Sequence, residues 1–208
     1  MYIAPLNLQG RADIIQAYIR QHGFATLVST HQNQLFTTHT PLHWVDKDGK
    51  QWLYGHIARA NEQVEHIIHR AKATAIFMHS HAYISSSWYD HVNVPTWNYM
   101  AVHVHGQLEA LDESATIEGL HHLVSQYEDP NQKHFAIAQM TESNFKAHLR
   151  GLCGFRLEVQ KTEASWKLSQ NRDDKNHATI IQKLRERGDE LSAAIADEME
   201  KMRPQTPK

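Results

Sequence analysis

The chain has 208 residues, a length that allows one large domain or a domain with an appendage. Its formal net charge of -2 excludes the bulk basic excess that drives nonspecific binding to nucleic acid. Cys153 is the single cysteine, which excludes an intrachain disulfide framework and favours a reducing compartment.

The sequence has no segment with the composition of a membrane span or a secretory signal. The first residues lack a basic region followed by an apolar stretch, and no window approaches roughly 18 uninterrupted apolar residues. We therefore expect a cytoplasmic protein without a membrane segment.

Helix and strand signals alternate along the first half of the chain. Apolar residues at helical spacing predict an amphipathic helix over residues 8–22, which Gly23 ends. Three β-rich runs follow and predict an antiparallel meander: Phe24 to Thr30, Leu35 to Val45 and Gln51 to His56. Pro41 lacks the amide that a central strand needs, so we expect an edge position or a bulge, and a kink.

The second half contains further elements of both kinds. Asn61 has the chemistry of an N-cap and predicts a short helix that ends near His69. The remaining predicted elements are strands over Ala73 to His79, Tyr99 to Leu111 and Leu152 to Val159, helices over Ser114 to Tyr127 and Thr141 to Arg150, and a C-terminal helix beyond Asn176.

Together these elements predict an α+β fold, an antiparallel barrel of about six or seven short strands with flanking helices. The strands are linked by turns rather than by regular crossover helices, which disfavours a parallel sheet. We expect a barrel domain over residues 1–165. Residues 166–208 are expected to form a polar segment and a helical tail packed on the same domain.

Two stretches have the composition of a binding surface. AYISSSWYDHVNVPTWNY, residues 82–99, holds three serines, two tryptophans and three tyrosines in eighteen positions. KLSQNR, residues 167–172, puts two cations beside a serine, a glutamine and an asparagine, the chemistry that a phosphate and a polar ring edge need. We infer a flat, anionic ligand.

Hydroxyls, a guanidinium and an amide also lie on neighbouring parts of the predicted meander. TTHTP, residues 37–41, and GHIARAN, residues 55–61, supply them, and Arg59 has the geometry to hold a phosphate bidentately. The alternative is that the threonines simply favour strands and that Arg59 opens a helix. Trp97 and Asn98 likewise suit either a ring-binding wall or the core.

Histidine is unusually frequent, with 17 residues. Two pairs have the spacing that places both members on one face of a strand. They are His79/His81 and His103/His105. No HExxH or paired-cysteine spacing accompanies them, so we predict no metal site. GxSxG, GxGxxG and P-loop patterns are also missing, which argues against a serine hydrolase and against Rossmann or P-loop nucleotide sites.

Six motifs follow one another along the chain. They are FATLV at Phe24 to Val28, GHIARAN at Gly55 to Asn61, AYIS at Ala82 to Ser85, WY at Trp88 and Tyr89, VPTWNY at Val94 to Tyr99, and KLSQNR at Lys167 to Arg172. In this order they resemble the PaiB family, the FMN-binding negative transcriptional regulators of bacteria, over almost the whole chain. The resemblance implies a split β-barrel of the pyridoxamine-phosphate-oxidase-like kind, with FMN as cofactor. It also implies a homodimer with flavin clefts at the subunit interface.

The resemblance and the chemistry of the motifs together define candidate cofactor-binding residues. We expect Arg59, Lys167 or Arg172, with nearby hydroxyls, to hold the FMN phosphate. The flavin ring is expected against Thr38, Trp97, Asn98, Gln170 and Asn171. The complete set is Thr38, His39, His56, Arg59, Asn61, Thr96, Trp97, Asn98, Lys167, Gln170, Asn171 and Arg172.

Three functions remain open at this point. The first is a regulatory protein, as the resemblance implies. Residues 173–208 contain seven Lys or Arg and eight Asp or Glu, without a clear helix-turn-helix, which argues against direct DNA binding. The second is an NAD(P)H-linked flavin-dependent oxidoreductase, with a proton donor among His39, His56, His103 and His105. The third is a haem-binding split-barrel protein. The sequence does not single out a catalytic residue.

Overall fold

The computed structural model describes residues 1–128 and 141–203. Seven strands and six α-helices form within these ranges. In chain order they are α1 (Ala12–Gln21), β1 (Phe24–His31), β2 (Gln34–Lys47), β3 (Lys50–Ala58), α2 (Gln63–Ile68), β4 (Lys72–Phe77), β5 (His81–Ile84), β6 (Thr96–Ala110), α3 (Glu113–Tyr127), α4 (Glu142–Arg150), β7 (Leu152–Lys167), α5 (Asp174–Glu186) and α6 (Glu190–Met202).

The strands form one sheet in the order β4-β1-β2-β3-β7-β6-β5. The β1–β2, β1–β4, β2–β3, β3–β7 and β5–β6 pairs are antiparallel. Because β4 also pairs with β6, the six strands β4, β1, β2, β3, β7 and β6 close into a barrel. The remaining strand, β5, pairs with β6. The α+β class and the antiparallel split barrel expected from the sequence are therefore confirmed.

The chain falls into two compact units. The first comprises Met1–Ile15, Met78–Val102 and Glu163–Lys208, and the second comprises Gln16–Phe77 and His103–Thr162. The division into residues 1–165 and 166–208 that we expect from the sequence stays a prediction.

Each unit has its own buried apolar residues. In the second unit, Leu53, Leu108, Phe155 and Leu157 lie on barrel strands and are fully buried, because alternate side chains of a strand face the same side. Full burial of such a side chain stabilises the fold by about 1.5 to 3 kcal/mol. The buried residues of the first unit include Trp166, Leu168, Ile180, Ile195 and Met199.

The expectation that Pro41 lies on an edge strand or in a bulge was wrong, because β2 lies between β1 and β3 in the sheet. Pro41 is the last residue of β2 to pair with β1, opposite Phe24, and Leu42 is the first to pair with β3, opposite Gly55. The proline therefore lies where one ladder ends and the next begins, and a missing N–H is tolerated at such a position.

The largest differences among the strands are one strand that the sequence did not predict and one that is longer than expected. Residues His81–Ile84, inside the polar aromatic stretch, form β5 and pair with Thr96–Tyr99 of β6. The last strand, β7, continues to Lys167 rather than ending at Val159. Both misses have one cause, because β5 is only four residues long and the second half of β7 is polar, so neither has a strong alternating pattern.

Several helix ends also differ from the sequence expectation. Helix α1 begins at Ala12 rather than near Leu8, because Pro5–Asn7 forms a 3₁₀ turn and Leu8 bridges to Ser165. The C-terminal segment forms two helices, α5 and α6, separated by Gly188 in the left-handed region. No helix within the described ranges is long and apolar enough to cross a membrane.

Candidate functional site

Thr38 and Asn61 come together in the second unit. The Asn61 side-chain amide donates to the Thr38 hydroxyl over 2.9 Å. Asn61 lies one residue before the N-cap of α2, Glu62, rather than at the cap itself, but its Oδ1 still accepts from the Gln63 N–H at 2.9 Å. This asparagine therefore joins the end of the β3 segment, β2 and the start of α2, and it keeps the Thr38 hydroxyl in a fixed position.

Arg59 follows β3 and is solvent-exposed. Its Nε donates to the carbonyl of Arg150 at 3.0 Å and its Nη2 donates to the carbonyl of Leu152 at 2.6 Å. These bonds hold the guanidinium against the connection between α4 and β7. A guanidinium has more N–H groups than these two bonds use, and its charge remains available to an anion.

The two histidines of the cofactor-binding set, His39 and His56, have different surroundings. His39 is exposed, stacks on Phe24 with ring centroids 6.2 Å apart, and has its Nδ1 3.1 Å from the Thr26 hydroxyl. His56 is half-buried, and burial lowers the pKa of its imidazole. His56 is therefore held in the neutral form near pH 7, in which one ring nitrogen donates and the other accepts.

Lys167 and Thr96 come together in the first unit. Lys167 is the last residue of β7 and Thr96 is the first of β6, and the ammonium donates to the threonine hydroxyl over 2.5 Å. The chain then turns through Ser169, which adopts a φ of 59°. This left-handed conformation is uncommon for a residue with a side chain.

Arg172 lies after this turn, with its guanidinium carbon 4.8 Å from the centroid of the Tyr89 ring. The Arg172 Nε and the Tyr89 hydroxyl are both buried, and neither has a hydrogen-bond partner in the described part of the chain. Unpaired buried donors are rare in folded proteins and often mark a place where a ligand or water completes the contacts.

Asn98 and Gln170 use their amides inside the protein. Asn98 is fully buried, accepts from the Ser169 hydroxyl at 3.0 Å and donates to the Met199 sulfur at 3.5 Å. Gln170 accepts from the Leu168 N–H at 2.8 Å and donates to the Trp166 carbonyl. Both side chains therefore stabilise the turn that carries Lys167 and Arg172.

Trp97 and Asn171 are exposed. The indole is 51% accessible to solvent and lies edge-on to Tyr83, with ring centroids 5.8 Å apart. Tyr89 lies inside the aromatic stretch but is not in the candidate set predicted from the sequence. Its contact with Arg172, which is distant in sequence, is visible only in the folded chain.

The antiparallel split barrel places the chain in the class of split-barrel proteins, and its strand ends and turns carry cations, hydroxyls and amides. The family model described as “Putative FMN-binding domain” matches residues 1–161. The chain belongs to this family. Membership supports FMN as its cofactor.

The chain is also similar to a curated bacterial protein, “Protease synthase and sporulation protein PAI 2” of Bacillus subtilis. The two are 32% identical over 200 residues, which cover 96% of this chain and 97% of that protein. This similarity confirms the PaiB family that the six motifs indicate.

Solved structures show the same fold at low sequence identity. The FAD and heme binding protein from Mycobacterium smegmatis has a TM-score of 0.62 at 11% identity, over 83% of this chain and 78% of that one. The flavocytochrome Anf3 from Azotobacter vinelandii has a TM-score of 0.59 at 14% identity, over 82% of this chain and 74% of that one.

Proposed function

We propose that this chain is a homodimeric FMN-binding protein with a regulatory role. The observation that carries the proposal is a cation-and-hydroxyl set in each unit, taken separately: Arg59 and the Asn61–Thr38 pair in the second unit, and Lys167 on Thr96 in the first. An FMN molecule needs a cation for its phosphate and donors and acceptors for its ring edge.

The phosphate is assigned to the set of the second unit. Arg59 is exposed and held in position by two backbone carbonyls. Asn61, two residues along the chain, already bonds through its amide to Thr38 and to the Gln63 N–H, so it positions the Thr38 hydroxyl of the neighbouring strand, whose O–H can still donate. A guanidinium that is already held in position fits a phosphate because it neutralises charge without requiring the arginine side chain to reorganise.

The set of the first unit, taken by itself, is a second candidate surface for a flavin ring. The exposed indole of Trp97 offers a flat apolar surface, and Lys167 and Asn171 offer donors for the polar ring edge. Asn98 and Gln170 are assigned a positioning role in the turn, since their amides already bond within the protein. The partly unsatisfied Arg172 adds a donor to this set.

Bound FMN would supply one- or two-electron redox chemistry. The regulatory role rests on the family resemblance, and we assign it to contacts other than direct DNA binding. Arg185 of α5, for example, pairs with Asp197 and Glu200 of α6 over 2.9 and 3.0 Å, so this cation faces acids of its own chain.

The test of the regulatory role compares target-gene expression in a deletion strain complemented with wild type or with Arg59→Gln. Derepression with the variant is expected, and normal repression would contradict a flavin-linked role.

The cofactor assignment is tested by titrating the purified protein with FMN and with riboflavin, which lacks the phosphate. Loss of a charged hydrogen-bond partner weakens binding by about 1.5 to 3 kcal/mol, or about tenfold or more. Arg59→Gln is expected to weaken FMN by at least this factor and to leave riboflavin unchanged. Lys167→Gln and Trp97→Ala are expected to weaken both ligands.

Arg11→Gln is the matched control, because Arg11 is an exposed arginine that pairs with Asp13. It should change neither affinity. Equal FMN affinity in wild type, Arg59→Gln and Lys167→Gln would refute the assignment. Sedimentation of the flavin-bound protein at two concentrations tests the homodimer, and a monomer that binds FMN tightly would refute shared clefts.

A further inference from the structure

A cleft of about 400 Å³ lies in the second unit, bordered by α2, α3 and α4 and by the first residues of β7. This volume falls within the range of small-molecule sites, about 300 to 1,000 Å³. The cleft contains none of the ring-binding candidates, and Arg59 is the residue that it shares with the proposed phosphate site.

The polar lining of the cleft is mainly cationic. Arg59, Lys146 and Arg150 line it, and Glu113 is the single acidic residue among the described lining residues. Lys146 and Arg150 are four residues apart on α4, so they lie on one face of that helix. Arg59 Nε donates to the carbonyl of Arg150, which fixes the end of α4 beside the guanidinium. The local charge therefore favours an anion.

The remaining lining is largely aliphatic. Val64 and Ile68 of α2, Leu149 of α4 and Leu152 of β7 contribute to it. Ile68 is 57% exposed, which is high for a large aliphatic side chain beside a concave surface. An apolar ligand body that covers Ile68 would remove this area from water. Cys153 also lines the cleft, and burial raises the pKa of its thiol, so it contributes a neutral surface.

We propose that this cleft is a second ligand site that takes a small amphipathic anion, one carboxylate or phosphate group carried on an aliphatic body. The anion would lie against Lys146 and Arg150 and the aliphatic body against Ile68, Leu149 and Leu152. Such a combination of convergent charges and apolar walls is typical of sites for small organic ligands. The site goes beyond FMN binding, because FMN carries its phosphate on a polar ribityl chain.

The test uses calorimetric titration of the full-length protein with octyl phosphate, octanoate, inorganic phosphate and octanol. Octyl phosphate or octanoate is expected to bind at least about tenfold more tightly than the two ligands that lack either the tail or the charge. The stronger of the two amphiphiles identifies the head group. Saturating FMN should not displace octyl phosphate, because Lys146 and Arg150 remain, although a phosphate on Arg59 should weaken the binding of the amphiphile.

Three variants and one control locate the binding. Lys146→Gln and Arg150→Gln are each expected to weaken the amphiphile about tenfold, and Ile68→Gln should weaken it several-fold through loss of apolar contact. Lys72→Gln removes an exposed lysine of β4 and should have no effect. FMN affinity should stay unchanged in all four proteins.

Equal binding of octanol and octyl phosphate, or unchanged binding in Lys146→Gln and Arg150→Gln, would overturn the proposal. Displacement of octyl phosphate by FMN, together with weaker FMN binding in Lys146→Gln, would also overturn it and would assign the cleft to the flavin phosphate. A protein that binds octyl phosphate in this pattern but ignores FMN would support the cleft and refute the proposed cofactor. The two proposals can therefore fail separately.

Discussion

Acid is expected to destabilise the protein through His43 of β2. This imidazole is 8% exposed, and its ring lies 5.7 Å from the Tyr54 ring and 5.8 Å from the His122 ring, centroid to centroid. Its Nε2 is buried and has no hydrogen-bond partner among residues 1–128 and 141–203. Burial is the main cause that lowers the pKa of His43 to about 4. Nearby His122 and His56 lower it further, and Glu118 opposes them.

The sign follows from proton binding in the two states. The unfolded imidazole takes up its proton near pH 6.5, whereas the folded one does so only near pH 4. Because the unfolded state binds more protons between these values, the free energy of unfolding falls as the pH is lowered. The stabilisation is fully present above pH 6.5. Relative to this value, the free energy of unfolding is lower by about 2 kcal/mol at pH 5 and by about 3 kcal/mol below pH 4, because each pH unit between the two pKa values changes it by about 1.4 kcal/mol.

The assay is urea unfolding followed by tryptophan fluorescence, at fixed protein concentration and a series of pH values. Wild type and His43→Leu are compared, because leucine fills the site with an apolar side chain that does not titrate. Between about pH 8 and about pH 5, wild type should lose about 2 kcal/mol more stability than His43→Leu. Burial also lowers the pKa of His56, His66 and His177, but these residues remain in both proteins, so the difference isolates His43.

His121→Leu is the matched control, since His121 is an exposed histidine of α3. Its pH profile should follow that of wild type. Parallel profiles for wild type and His43→Leu between pH 6.5 and pH 4 would refute the reasoning, because they would mean that His43 binds its proton equally well in the folded and unfolded states.

Two further substitutions test the packing of the barrel. Gly106→Ala would place a Cβ 1.6 Å from the backbone carbonyl oxygen of Glu158, so we expect a loss of roughly 3 kcal/mol or more, or failure to fold, measured by thermal unfolding. Gly10→Ala, with no atom within 4 Å of the new Cβ, should leave the melting temperature unchanged, and an equal loss in both variants would contradict this account. Ser29→Ala removes the hydroxyl that lies 2.8 Å from the buried Nδ1 of His66, which should destabilise the protein by about 1 to 3 kcal/mol; unchanged urea unfolding would show that water replaces the hydroxyl.

Much of the barrel could be predicted from the sequence because its strands carry local signals. The run from Phe24 to His56 has β-rich segments separated by polar turns, and the structure forms β1, β2 and β3 there. The strand predicted over Tyr99 to Leu111 corresponds to β6, Thr96–Ala110, in which Met100, Val102 and Val104 are buried. Strand order, and the change of pairing partner from β1 to β3 at Pro41, depend on pairing between distant segments. No local pattern specifies that pairing.

The candidate residues could be found by composition, but their roles could not. Asn98 and Asn171 look alike in sequence, as polar residues of motifs rich in aromatic or charged groups. In the folded chain Asn98 is fully buried and contacts Ser169 and Met199, while Asn171 is exposed. The left-handed Ser169 also lacks a sequence signal, because glycine is the residue that usually marks this conformation.

The candidate residues differ in whether their buried polar groups already have hydrogen-bond partners, and composition does not reveal this difference. A buried amide with both groups satisfied gains little from a ligand, since binding would have to break existing bonds. An unsatisfied buried donor gains a full bond when a ligand supplies an acceptor. By this argument Arg172, whose Nε is unsatisfied, should lose more FMN affinity on substitution than Gln170, whose amide bonds to Leu168 and Trp166. The ratio of FMN affinities in Arg172→Gln and Gln170→Ala, each measured on protein with an unchanged melting temperature, tests this order. The opposite order would mean that the turn opens when flavin binds.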